Sequence, residues 1–295
     1  MSLLKSLSFK APAKINLYLE IKGLRDDGYH NIESVMQTVT LFDTLTLTKN
    51  ADVGEKITVE CNNADVPCDE RNLCYRAAKL FFESAGIMSY DITLNIDKQI
   101  PIAAGLGGGS SDAAATLLML HRLYNSPLDE SALYKIASKI GADVPFCMKK
   151  GISTTHGIGD VFSPCERLPE CYFVIACAGE GVSTPWAYKR LDEMYDFSSR
   201  EVSSNEFTEA LKGGELLEIA GKMRNIFESA VLPERVMAQK IRDMLIDGGA
   251  INAMMSGSGP SVFGVFDKEE AANEAADQLL ASGIAAHICK PYYPA

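Results

Sequence analysis

The groups in this chain best suited to chemistry are a run of glycines, one aspartate and one lysine. The run reads Pro101-Ile102-Ala103-Ala104-Gly105-Leu106-Gly107-Gly108-Gly109-Ser110-Ser111-Asp112. Its glycines remove the side chains that would keep an anion away from the backbone. The residues that follow, Ala113 to Leu120, are good helix formers. A helix starting there, with Ser110 or Ser111 as its N-cap, turns its first N–H groups and the positive end of its dipole toward the glycines. That is the chemistry of a phosphate cradle; the alternative is a flexible loop feeding an ordinary helix. No lysine follows the last glycine, so this is not a Walker A loop, and Ser110 stands where the dinucleotide fingerprint needs its third glycine. His121-Arg122-Leu123 is not the H-R-D of protein kinases.

Asp143 lies in Gly141-Ala142-Asp143-Val144-Pro145-Phe146, just past a predicted helix end and among apolar neighbours. A carboxylate at the edge of a buried site can accept a proton, and a turn-capping Asp is the commoner alternative. Lys14 and Asn16 share one face of an alternating stretch, Ala11 to Ile21. A strand with one wet face accounts for Glu20; Lys14 and Asn16 gain weight only if other groups converge on them. Tyr29 and His30 sit in a turn-rich tip, Gly23 to Asn31. They are either an exposed tip or a flat aromatic beside an imidazole, a pair suited to a heterocyclic base.

The elements that position these residues follow from periodicity. Asp91 to Asp97 alternates as a half-buried strand leading into the glycine run, and Asn125-Ser126-Pro127 stops the helix after it. Further strands are expected at Ser34–Val39 and Thr44–Thr48. Asn72 caps a helix ending at Gly86, and Asp129 caps another ending at Gly141. A turn-rich stretch from Thr154 to Pro169 is the expected domain boundary. Beyond it come a strand at 171–177, a helix with Thr184 as N-cap and Pro185 at its first position, and polar helices over 204–230. A helix from Pro233 to Gly248, strands at 250–255 and 261–266, a helix at 268–282 and a strand at 284–289 close the chain. This order suggests an α+β unit on an antiparallel sheet.

The chain has 295 residues and a net charge of −11, which argues against sequence-independent nucleic-acid binding. Its eight cysteines contain no C-x-x-C pair, so zinc and thioredoxin-like readings are weak. No signal peptide and no membrane-length apolar run is visible, so a cytoplasmic protein that binds no membrane is expected.

The motif P-x-x-x-G-L-G-G-G-S-S at Pro101–Ser111 resembles the central motif of the galactokinase–homoserine kinase–mevalonate kinase–phosphomevalonate kinase (GHMP) superfamily. Two further motifs fall in the same order: Ala11-Pro12-Ala13-Lys14-Ile15-Asn16-Leu17, and Ser256-Gly257-Ser258-Gly259-Pro260-Ser261-Val262-Phe263. Within the superfamily, Gly28-Tyr29-His30, the triple glycine and Gly141–Phe146 make the chain similar to the 4-diphosphocytidyl-2-C-methyl-D-erythritol kinases. The resemblance implies an α+β, two-domain GHMP kinase fold. An N-terminal ATP-binding domain like domain 2 of ribosomal protein S5 (1–160) would precede a ferredoxin-like C-terminal domain (161–295). It implies ATP-dependent phosphorylation of the cytidyl alcohol, with Mg²⁺ on the nucleotide and a monomeric or homodimeric protein.

By the same resemblance Asp143 matches the catalytic aspartate and Lys14 the catalytic lysine. Pro101, Ile102, Ala103, Ala104, Gly105, Leu106, Gly107, Gly108, Gly109, Ser110 and Ser111 match the ATP phosphate loop. Asn72, Leu73 and Lys98 match the adenine pocket. Asn16, Tyr29, His30, Thr184 and Tyr188 match the substrate side, with Tyr29 and His30 on the cytosine. A homoserine or mevalonate kinase, or a non-catalytic S5-like binding module, would be the alternatives.

Overall fold

The computed structural model describes residues 5–51, 54–177, 179, 181–197 and 202–294. In chain order the elements are β1 (Ser6–Leu24), β2 (His30–Ala51), β3 (Glu55–Cys61), α1 (Leu73–Ala85), β4 (Tyr90–Asp97), α2 (Gly108–Leu123), α3 (Glu130–Ile140), α4 (Val144–Lys149), β5 (Ile152–His156), β6 (Val161–Ser163) and β7 (Tyr172–Ala176). They continue with α5 (Thr184–Met194), α6 (Asn205–Gly213), α7 (Leu216–Gly221), β8 (Arg224–Asn225), α8 (Phe227–Val231), α9 (Val236–Asp247), β9 (Asn252–Met255), β10 (Val262–Phe266), α10 (Glu269–Ala281) and β11 (Ala286–Cys289). Two compact units result: Met1–Ala13 with Phe42–Ile102 and Gly107–Lys149, and Lys14–Leu41 with Ala103–Leu106 and Lys150–Ala295.

In the first unit β4 pairs antiparallel with β2, Thr44 opposite Asp97, and parallel with β3, Glu55 opposite Tyr90. Parallel neighbours need a crossover, and α1 supplies it. The predicted alternation of β4 is observed: Tyr90, Ile92, Leu94 and Ile96 face a core that includes Phe81, Phe82, Leu117 and Leu120. Burying each large side chain of this kind contributes about 1.5–3 kcal/mol. The predicted caps hold as well. Asn72 accepts the Cys74 N–H and Asp129 the Ala132 N–H, while Gly86 closes α1 in the left-handed conformation. Helix α2 differs from expectation: it starts at Gly108 with Gly107 as its left-handed N-cap, which puts Ser110 and Ser111 inside its first turn.

In the second unit β7 lies between β11 and β10, and β9 completes an antiparallel sheet. Helices α9 and α10 pack on it through a core that includes Ile241, Leu245, Ala272 and Leu279. The turn-rich stretch after Thr154 folds as a β5–β6 hairpin, with His156 opposite Val161. Helix α5 is capped by Ser183, one residue before the expected Thr184.

Two strand expectations are corrected. The segments at 34–39 and 44–48 belong to one continuous strand, β2. The polar face of β1 is not wet: Lys14, Asn16, Tyr18 and Glu20 are all buried, and Glu20 is fully so. At Glu20 a partner arrives from β8, which pairs in parallel beside Tyr18 and Leu19 and brings Arg224 to the carboxylate. Among the described residues no helix is long and apolar enough to cross a membrane.

Candidate active site

The glycine run bends through left-handed backbone at Ala103 (φ 51°), Gly105 (φ 77°) and Gly107 (φ 66°). A non-glycine residue in that region costs on the order of 1 kcal/mol and is retained chiefly where a site needs it. In the first unit the run ends in the opening turn of α2. Ser111 N–H already donates to Gly107 O at 2.9 Å, while the N–H groups at the very start of a helix have no intrahelical acceptor. Ser111 Oγ is buried and has no hydrogen-bond partner among the described residues. Open backbone N–H groups, a positive helix end and an orphaned hydroxyl together fit the phosphates of a nucleotide.

Lys98 and Leu73 flank this turn. A side chain at Gly108 would put its Cβ 2.7 Å from Lys98 Nζ, and one at Gly109 would put it 3.6 Å from Leu73 Cδ1. The Lys98 ammonium is buried in an ion pair with Asp43 and reaches Asp112 Oδ2 at 3.2 Å. Burial pulls its pKa down, but Asp112 and Asp43 more than offset that and leave it raised. Asp112 is pushed up to about 8, first by burial; Lys98 opposes the rise and Asp43 adds to it. A carboxyl raised in this way contributes stability that is present below its unfolded value near 3.9 and is lost as pH climbs through about 8. Asn72 uses its amide on the Pro67 carbonyl at 2.7 Å and on the Cys74 N–H at 2.8 Å, so its side chain has a structural task. Asp143, half-buried, opens α4 by accepting Cys147 N–H on its main-chain oxygen at 3.0 Å.

In the second unit Lys14, Asn16, Gly105 and Leu106 come together with the Ser256–Gly259 turn. Lys14 N–H donates to Leu106 O at 2.9 Å, and its buried ammonium donates to Asn16 Oδ1 at 2.8 Å. Asn16 Nδ2 donates to Ser34 Oγ at 2.8 Å, which donates to Tyr18 O at 2.6 Å. This chain fixes the orientation of the amide, so Asn16, expected on the substrate side, also positions Lys14. Ser256 Oγ donates to Gly105 O at 3.0 Å, and Asn225 Nδ2 donates to Met255 O and Gly257 O. A Cβ at Gly105 would lie 2.1 Å from the Ser256 carbonyl oxygen, on a residue that already has φ 77°. Gly105→Ala is therefore expected to lower stability by about 2 kcal/mol or more, because neither backbone can yield. A thermal melt matching the parent protein would contradict this packing.

The residues expected at a base form a second group in the same unit. His30 is buried, stacks on Tyr188 at 4.8 Å and meets the edge of Phe197 at 5.7 Å. Its Nε2 lies 2.7 Å from Asp192 Oδ1, a partner that the sequence did not single out. Tyr29, next to it at the tip, is 64% exposed. Thr184 is one turn before Tyr188 on α5, and its hydroxyl pairs with Ser258 Oγ at 2.9 Å. The third motif is thus tied to the helix that carries the His30 stack.

Comparison with known proteins shows the family. Residues 72–151 match the family model of the GHMP kinases N terminal domain, and 208–285 that of GHMP kinases C terminal. A 4-diphosphocytidyl-2-C-methyl-D-erythritol kinase of Clostridium novyi (strain NT) is 41% identical over 88% of this chain and 90% of its own length. One of Alkaliphilus metalliredigens (strain QYMF) is 38% identical over 98% of both chains. The chain belongs to the 4-diphosphocytidyl-2-C-methyl-D-erythritol kinase family. A crystal structure of a family member, titled 4-(cytidine 5'-diphospho)-2C-methyl-D-erythritol kinase, superposes with a TM-score of 0.80 and 30% identity over 98% of this chain and all of that one. The GHMP kinase fold expected from the three motifs is the fold observed.

The first family-model match, 72–151, contains the glycine run, Asn72, Leu73, Lys98 and Asp143. Lys14, Asn16, Tyr29, His30, Thr184 and Tyr188 lie outside both matched segments. Sequence reading also passed over Ser34, Asp43, Asp112, Asp192 and Asn225. Only Asp112 carried a local signal, as a buried charge just past the first turn of α2, followed at once by Ala113, Ala114 and Ala115.

Proposed function

We propose that this chain transfers the γ-phosphoryl group of ATP to the 2-hydroxyl of 4-diphosphocytidyl-2-C-methyl-D-erythritol, giving the 2-phosphate and ADP. This is a step of non-mevalonate isoprenoid synthesis. The observation that carries the reading is the 38% identity to a kinase of that name over 98% of both chains. The glycine loop and the open start of α2 support it, because phosphoryl transfer asks a protein mainly for positioning and charge neutralisation.

In this reading Asp143 accepts the proton of the 2-hydroxyl as its oxygen attacks the γ-phosphorus, and the bond to the bridging oxygen of ADP breaks. Lys14 stabilises the negative charge that builds around the transferring group. Backbone N–H groups of Gly107 to Ser110 hold the phosphates. Mg²⁺, when bound, neutralises phosphate charge, with the Ser110 and Ser111 hydroxyls as the protein groups toward it. Leu73 and Lys98 border the nucleotide, and Asn72 shapes that border as the cap of α1. Tyr29 and His30 receive the cytosine, with Tyr188 and Thr184 closing on the cytidyl part. The proposed division of labour places nucleotide binding before residue 160, with Thr184 and Tyr188 of the substrate pocket after it. The cytoplasm is the proposed location and a monomer or homodimer the proposed state.

Stacking of a base on an aromatic ring is worth about 1–3 kcal/mol. Tyr29→Ala is therefore expected to raise KM for the cytidyl substrate by about tenfold, with kcat changed by less than about twofold. An unchanged KM removes Tyr29 from the pocket. The reading as a whole is tested by ADP release with ATP, Mg²⁺ and the cytidyl alcohol, with homoserine and mevalonate run alongside. Turnover with the cytidyl alcohol alone supports it; turnover only with another alcohol refutes the acceptor and leaves the fold.

A further inference from the structure

The segment entering the glycine loop and the helix leaving it are joined by a buried charge cluster, Asp43, Lys98 and Asp112, of which only Lys98 has a place in the proposed reaction. Asp43, fully buried on β2, takes the Gln99 N–H at 2.6 Å and the Ile100 N–H at 2.8 Å on one carboxylate oxygen. Its other oxygen holds the Lys98 ammonium. The same ammonium lies 3.2 Å from Asp112 Oδ2 and close to Gly108, where an added Cβ would be 2.7 Å from it. The second oxygen of Asp112 is buried without a hydrogen-bond partner among the described residues. An ammonium beside a helix N-terminus is disfavoured by the dipole, so it stays there only because carboxylates hold it.

We propose that Asp43 is a positioning residue for the phosphate loop, setting the approach of Gln99–Pro101 and, through Lys98 and Asp112, the first turn of α2. The inference rests on the ATP-dependent reading above. Asp43 touches no reacting atom in it. It acts by fixing where the loop's N–H groups point and by placing one buried cation behind them.

The test is ATP affinity, read separately from turnover. In Asp43→Asn the KM for ATP and the Kd for ADP should both rise by about tenfold at pH 7, with KM for the alcohol changed by less than about twofold. A folded Asp43→Asn with parental ATP and ADP constants overturns the proposal, as does an equal loss for both substrates. Should Asp43→Asn not fold, Asp112→Asn carries the test at pH 7: it alters the carboxylate 3.2 Å from the Lys98 ammonium, so the Kd for ADP should rise by about threefold or more with KM for the alcohol changed by less than about twofold. A folded Asp112→Asn with the parental Kd for ADP overturns the proposal. Direct ADP binding keeps this separate from the reaction: a parent that binds ADP but phosphorylates no alcohol refutes the proposed function and leaves the loop test intact.

Discussion

Asp143→Ala is expected to lower kcat by about 10²–10⁴-fold, the span for loss of a positioned proton acceptor, while leaving KM for ATP within about threefold. The split follows from where the residue sits. Asp143 follows the end of α3 and opens α4, half-buried, with its main-chain oxygen committed to Cys147 N–H. The backbone is thereby fixed, and the substitution removes a carboxylate without removing the turn. The glycine run, which is proposed to carry the nucleotide phosphates, is untouched. Steady-state kinetics on a variant with a parental melting curve decides the matter. A kcat within about threefold of the parent ends the role of Asp143 in proton transfer.

Lys14→Ala is the second large effect, an expected loss of about 10²–10³-fold in kcat, comparable to removing one preorganised charge stabiliser. The ammonium is buried, and its donation to Asn16 Oδ1 is held in place through Ser34 and the Tyr18 carbonyl. Preorganisation of this kind costs nothing at the moment of reaction, so its removal falls on the transition state. Rapid-quench measurement of the phosphoryl-transfer step isolates the effect from product release. A step slowed by less than about fivefold would reduce Lys14 to a structural residue holding the Leu106 carbonyl.

What the sequence revealed is what local chemistry fixes. The glycine loop was legible because a left-handed backbone and a helix start are written in neighbouring residues, and the caps at Asn72 and Asp129 for the same reason. The α+β order after residue 171 was legible from alternating strand and helix periods. What remained hidden depends on distant partners. Glu20 reads as a surface residue until β8 arrives with Arg224. His30 and Asp192 are 162 positions apart, and Asp43 and Lys98 are 55 apart. A period of two shows which side chains share a face, but not that a second element covers it. The start of α2 was misplaced because a serine looks like a better cap than a glycine, yet only Gly107 combines φ 66° with the last turn of the loop.

The central claim is that the phosphoryl group goes to the 2-hydroxyl of the cytidyl substrate, and ³¹P NMR of the product tests it most directly. The carbon bearing that hydroxyl also carries the methyl group and has no hydrogen. The account predicts one new phosphomonoester signal without three-bond coupling to a proton, appearing in step with ADP. A new signal split by neighbouring protons would place the phosphate on another hydroxyl and contradict the proposed reaction.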